Sequence, residues 1–167
     1  MNKLYRKYLS LLPIYVLLQI LVLNQVLFSA YINPFLYLLL IISLPLKTPK
    51  WFLLFYAFLL GFFIDLFSES LGFHSSACVL IAFVKPLINK ITIPHNILGE
   101  MDEISMQKVG VKVYITFSVL LIIIHNSCLF ILEHLDFSFA IFNKICASTF
   151  VTLIIILITQ LLIKQKK

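Results

Sequence analysis

The chain has 167 residues, of which 62% are hydrophobic and only 12% charged, with a mean hydropathy of +1.07 and a net charge of +6. A soluble domain carries about 45–50% apolar and about 25% charged residues, so the apolar surplus is surface for lipid rather than a larger core. An ordinary soluble globule and a disordered chain are both excluded, and the basic residues sit between apolar runs, where they orient a membrane protein instead of meeting nucleic acid.

A membrane-spanning helix needs about 20 mostly apolar residues. The chain opens on Lys3, Arg6 and Lys7. The apolar stretch behind them exceeds the about 7–15 residues of a signal-peptide core and lacks a small-residue cleavage site. From Tyr8 to Leu46 no charged side chain occurs, which leaves room for two spans around a turn at Ser29 to Pro34. Spans are therefore expected at 10–28 and 33–46, the second of them short. Lys47 to Lys50 closes that pair. A third span follows at 51–67, with Trp51 as an interfacial anchor. Ser68 to Ser70 makes a short turn, and the fourth span is 71–88, with Lys85 near its end. Residues 89–112 are polar and charged and read as a cytoplasmic loop. Two clean apolar runs complete the set at 113–132 and 145–163, before the basic tail Lys164 to Lys167. The expected fold is one all-α domain over residues 1–167, a polytopic membrane helix bundle of about six transmembrane helices.

Lysine and arginine set the orientation. With both termini in the cytoplasm, the inner side holds Lys3, Arg6, Lys7, Lys47, Lys50, Lys85, Lys90, Lys108, Lys112, Lys164, Lys166 and Lys167, and the outer side only Lys144. The outer turns carry Glu69, Glu133 and Asp136 instead. A membrane protein that crosses several times, with both termini on the inner side, is the expectation.

Polar side chains gather toward the expected outer ends of the spans. Asp65 lies 14 residues beyond Trp51, a rise of about 21 Å, which puts it in the outer third of the hydrocarbon. A carboxylate there costs about 2.5–3.5 kcal/mol unless it faces a partner or water, so Asp65 reads either as a helix-end residue near the headgroups that caps the next element or as an inward group that orders the turn leading to Gly72 and His74, accepting from the turn's backbone N–H groups or pairing with His74, His125 or a partner chain. Asn24, Gln25, His125 and Asn126 form a candidate outer polar cluster, with Ser148, Thr149 and Thr152 nearby. Gly72, Ser75, Ser76, Ala77, Cys78 and Ala82 give the fourth span small sides suited to close helix packing. Cys78, Cys128 and Cys146 form no C-x-x-C pair and read as buried, inert thiols. No catalytic motif, phosphate-binding glycine loop or metal-ligand spacing occurs, so no enzyme, cofactor or metal is expected. The bilayer is the partner that composition demands; a homodimer fits the sequence as well as a monomer does.

The stretch from Leu60 to His74 is the most distinctive. It resembles the signature of MreD, the bacterial rod shape-determining membrane protein family, in which Gly-x-x-x-Asp, a short Ser/Gly turn and Gly-x-His open a small-residue helix. The corresponding positions are Gly61, Asp65, Ser68, Gly72 and His74, and the run on to Pro86 is also similar. Elsewhere the likeness is one of hydropathy. The resemblance implies a non-catalytic scaffold for rod cell shape and lateral peptidoglycan synthesis, associated with MreC and through it with the RodA–transpeptidase synthase and MreB. It also implies a fold like that of the substrate-binding subunits of ECF-type transporters. That raises the alternative of a small-molecule (vitamin)-binding transport subunit, against which the compact outer turns weigh.

Overall fold

A computed structural model of the chain describes residues 3–25, 32–70, 72–94, 103–135 and 138–163. The end of the first expected span (26–28), half of the turn after it (29–31), Leu71, positions 95–102 of the loop, Asp136 and the tail Lys164–Lys167 lie outside the described residues.

Among the described residues the regular structure is all helical. Helix α1 (Lys3–Leu18) runs on into a π-helical turn, Gln19–Leu23. Then come α2 (Leu38–Ser43), α3 (Lys50–Ser68), α4 (Phe73–Thr92), α5 (Met106–Val109), α6 (Val111–His134) and α7 (Phe139–Leu162). Five stretches, Tyr5–Leu23 and helices α3, α4, α6 and α7, are long and apolar enough to cross a membrane. The protein is a multi-pass membrane helix bundle. Its long helices overrun the uncharged windows because charged residues such as Arg6, Lys50 and Lys90 ride on their terminal turns. Helix α4 continues through Pro86 to Thr92, which shortens the expected 89–112 loop, and α5 structures part of the remainder.

The second expected span is different. Of residues 33–46 only Leu38–Ser43 is α-helical, entered through tight turns at Phe35, Leu36 and Tyr37. Pro34 and Pro45 bracket the segment and cannot donate backbone hydrogen bonds. From Pro34 to Ile42 every side chain is buried. A helix that is apolar all round belongs inside a bundle, and hydropathy alone does not separate that from a lipid-facing span.

Irregular backbone at membrane depth survives only where protein satisfies it. Around this segment side chains from three helices do so. Ser148 Oγ and Thr152 Oγ1 on α7 accept from the N–H groups of Asn33 and Phe35, each at 3.1 Å. Gln19, in the π turn, donates to the Pro34 carbonyl (2.8 Å) and accepts from Leu36 N–H (3.0 Å). Lys85 Nζ, on α4, donates to the carbonyls of Ile41 and Leu44, both at 2.7 Å. Pro45 leaves Ile41 without its ordinary i+4 donor; Leu44 N–H reaches that carbonyl at 3.4 Å, and the ammonium adds a shorter bond. Tyr8 Oη on α1 donates to the Ser43 carbonyl at 2.7 Å. Lys85 is thus a buried structural group, 1% exposed, not the surface charge its place in the sequence suggests.

Around this core strand of chain α1 packs on α3, α3 on α4, α4 on α6 and α6 on α7, while α2 touches α1, α4 and α6. One continuous apolar core results. Phe58, Phe62, Phe83 and Phe150 stand exposed on the outside, as lipid-facing residues should. Cys78 is buried, but Cys146 is exposed on α7, so the expectation of buried thiols fails there.

Candidate functional site: the α3–α4 turn and its buried polar network

Gly61 and Asp65 lie one turn apart on α3 and face the start of α4. A Cβ on Gly61 would come within 2.5 Å of Ser75 Cα, 2.6 Å of Ser75 N and 2.7 Å of the His74 carbonyl oxygen. Those are backbone atoms, so only glycine allows this approach.

Asp65 uses it. One carboxylate oxygen accepts from His74 N–H (3.0 Å) and Ser70 Oγ; the other accepts from Ser75 N–H (2.8 Å) and Ser75 Oγ. The first N–H groups of a helix have no intrahelical partner and carry a partial positive charge. The carboxylate is therefore solvated by a helix N-terminus and two hydroxyls, although Asp65 is only 5% exposed. Between the helices, Glu69 (φ 52°) and Gly72 (φ 85°) take left-handed conformations, and Ser70 N–H donates to the Asp65 carbonyl. Gly72 has nothing near its missing Cβ, so conformation and not space calls for glycine there. Ser68 Oγ accepts from Asn24 Nδ2 at 3.3 Å, tying this turn to the end of the first helix.

His74 leads inward. Its Nδ1 lies 2.8 Å from Tyr37 Oη, which lies 2.9 Å from His125 Nε2. His125 Nδ1 is 3.1 Å from Asn126 Oδ1, and Asn126 Nδ2 donates to Thr149 Oγ1 at 3.0 Å. One proton pattern satisfies this chain. Asn126 Oδ1 can only accept, so His125 donates from Nδ1 and accepts Tyr37's proton at Nε2; His74 then donates from Nδ1 to Tyr37. A network paired throughout ties α2, α4, α6 and α7 together. Phe35 packs edge-on against both histidine rings.

The residues expected as one outer polar cluster are divided by the fold. His125 and Asn126 are fully buried and joined to His74. Asn24 lies near the surface, bonded to Ser68 and to Gln19, and exposed Gln25 joins neither group among the described residues. Tyr37 and Gln19, which complete these networks, were not singled out by sequence reasoning. The signal was there: each is a lone polar group in a long apolar run, and such groups find partners inside a bundle.

At the same end a cleft of about 390 Å³ opens between the turns, lined by Asn24, Asn33, Ser68, Glu69, His74 and Glu133 among others. Lys144 sits 3.8 Å from Glu133 and over the Phe130 ring. Among the described residues no three His, Cys, Asp or Glu side chains gather as a metal site. Comparison with family models, curated proteins and solved structures returns no match.

Proposed function

We propose that this chain is a non-catalytic membrane scaffold of the MreD type, working in cell-wall elongation and rod shape through association with MreC. In this reading it lies in the bacterial inner membrane with both termini cytoplasmic, and reaches the RodA–transpeptidase synthase and MreB through MreC. One observation carries the reading. The residues that resemble the family signature all act in a single joint: Gly61 for close approach, Asp65 as cap, Ser68 as tether to Asn24, Gly72 as left-handed turn and His74 as the entry to the buried network. A signature spent on rigidity suits a protein that presents a fixed surface to partners. The test is depletion in a rod-shaped host, which should give rounded or swollen cells, together with co-purification of MreC. Normal shape on depletion would count against it.

The cleft of about 390 Å³ favours a second reading, a small-molecule-binding subunit of a transporter. Its polar wall of Asn24, Asn33 and His74 can hydrogen-bond a ligand. Tight vitamin binding by the purified chain would support this reading over the first.

A further inference from the structure

We infer that a second cleft, at the opposite end of the bundle, binds an anionic phospholipid. The cavity measures about 550 Å³ and lies where α2 separates α1 from α7, which share no extensive packing. Leu11 on α1, Leu40 on α2 and Ile163 beyond α7 give it apolar walls. Such walls match an acyl chain and have nothing to offer a free phosphate.

The rim has the chemistry of a headgroup site. Lys7 and Lys108 stand there with one carboxylate, Glu103. Lys7 Nζ holds both Glu103 oxygens, at 2.8 and 3.1 Å, so the glutamate is neutralised and fixed to α1. Exposed Lys108 has no carboxylate partner among the described residues and is left to meet a phosphate. Deeper in, Ser43 and the buried Gln160 line the cavity, their side chains 3.5 Å apart, with hydrogen-bonding capacity for a glycerol ester. Basic pockets between helices on the cytoplasmic side are a recurrent way of holding anionic lipid. A zwitterionic headgroup would bring a second cation toward the two lysines.

The experiment uses the full chain purified in mild detergent. Phosphatidylglycerol, phosphatidylcholine or glycerol phosphate is added at equal concentration, and retained lipid is read by native mass spectrometry alongside thermal melting. Phosphatidylglycerol should be retained and should raise the melting temperature; the other two should do neither. Lys108→Gln should lower phosphatidylglycerol retention about fivefold, the effect of one basic residue at an anionic surface. Lys112→Gln, which removes the same charge from outside the cleft, should leave retention unchanged. Leu11→Trp, which fills the cavity, should abolish retention while helical content stays the same. Equal retention of both lipids, or retention indifferent to Lys108→Gln and Leu11→Trp, would mean ordinary boundary lipid and overturn the site. An equal loss in Lys112→Gln would mean general surface charge, and competition by glycerol phosphate alone a plain phosphate site; either overturns it too.

Discussion

Asp65 meets four donors with two oxygens, and this count decides what its replacements do. Asp65→Leu strands the backbone N–H groups of His74 and Ser75 in a buried place, at about 1–3 kcal/mol each. It should lower the melting temperature in detergent clearly. Asp65→Asn keeps one oxygen and turns an N–H₂ toward the other pair. Ser75 Oγ can turn and accept, but one backbone N–H loses its partner. The asparagine variant should therefore fall between wild type and leucine, less mild than shape alone suggests. A leucine variant as stable as wild type would contradict the capping role. Gly61→Ala belongs to the same joint. Its methyl would press on α4 backbone, which cannot rotate away, and overpacking of this kind costs about 1–3 kcal/mol. A melting curve unchanged by Gly61→Ala would show that α4 yields more easily than this packing implies. The inward direction of Asp65 was legible in the sequence, because a carboxylate at that depth needs partners. Which donors it meets was not, since they depend on how closely α3 and α4 approach.

At the scale of elements, α3, α4 and α6 were legible to within about four residues, since lipid selects long uncharged runs and leaves charges at their ends, whereas α7 begins six residues before the expected span and carries Lys144 in its second turn. Segment 33–46 was not legible as what it is. Its side chains are as apolar as a span, but they face protein on every side, and the groups that satisfy its backbone come from positions far away in sequence. Lys85 is the sharpest instance. Near a basic loop it reads as an inner surface charge, whereas the fold buries it against two backbone carbonyls, of which that of Leu44 has no other donor among the described residues. Lys85→Met should destabilise the bundle by leaving the Leu44 carbonyl unpaired, at about 1–3 kcal/mol, and the Ile41 carbonyl with only its long bond from Leu44 N–H, and thermal melting would measure it. Removing an uncompensated buried charge works in the opposite direction. The unpaired carbonyl should win because the site is buried, and a more stable methionine variant would reverse that judgement. The small-sided α4 is likewise half of what its composition suggests. Ala77, Cys78 and Ala82 are buried, while Ser76 is exposed. Ala82→Phe should cost stability and Ser76→Leu should be nearly neutral; the reverse order would place the packed face of α4 wrongly.

For the whole molecule, the asymmetry of basic residues predicts which ends meet which compartment. Burial of Lys85 does not weaken it, and the one lysine expected on the outer side, Lys144 on α7, lies beside Glu133. In a background without Cys78, Cys128 and Cys146, Glu69→Cys should react with an impermeant thiol reagent in intact cells, and Lys112→Cys only after permeabilisation. Both positions are exposed, so access and not burial decides the outcome. Labelling at Lys112→Cys in sealed cells would invert the topology. The bundle, with its crossed interior segment and capped α3–α4 turn, is built to hold one shape, and the role proposed for it depends on a partner. The most direct measurement is how much MreC accompanies the tagged full chain from its native membrane in mild detergent, for wild type and for Gly61→Ala. Wild type should bring MreC in comparable amount, and the variant, with α4 pushed off α3, should bring several-fold less. A wild-type chain that comes free of MreC, carrying a tightly bound small molecule instead, would contradict the scaffold.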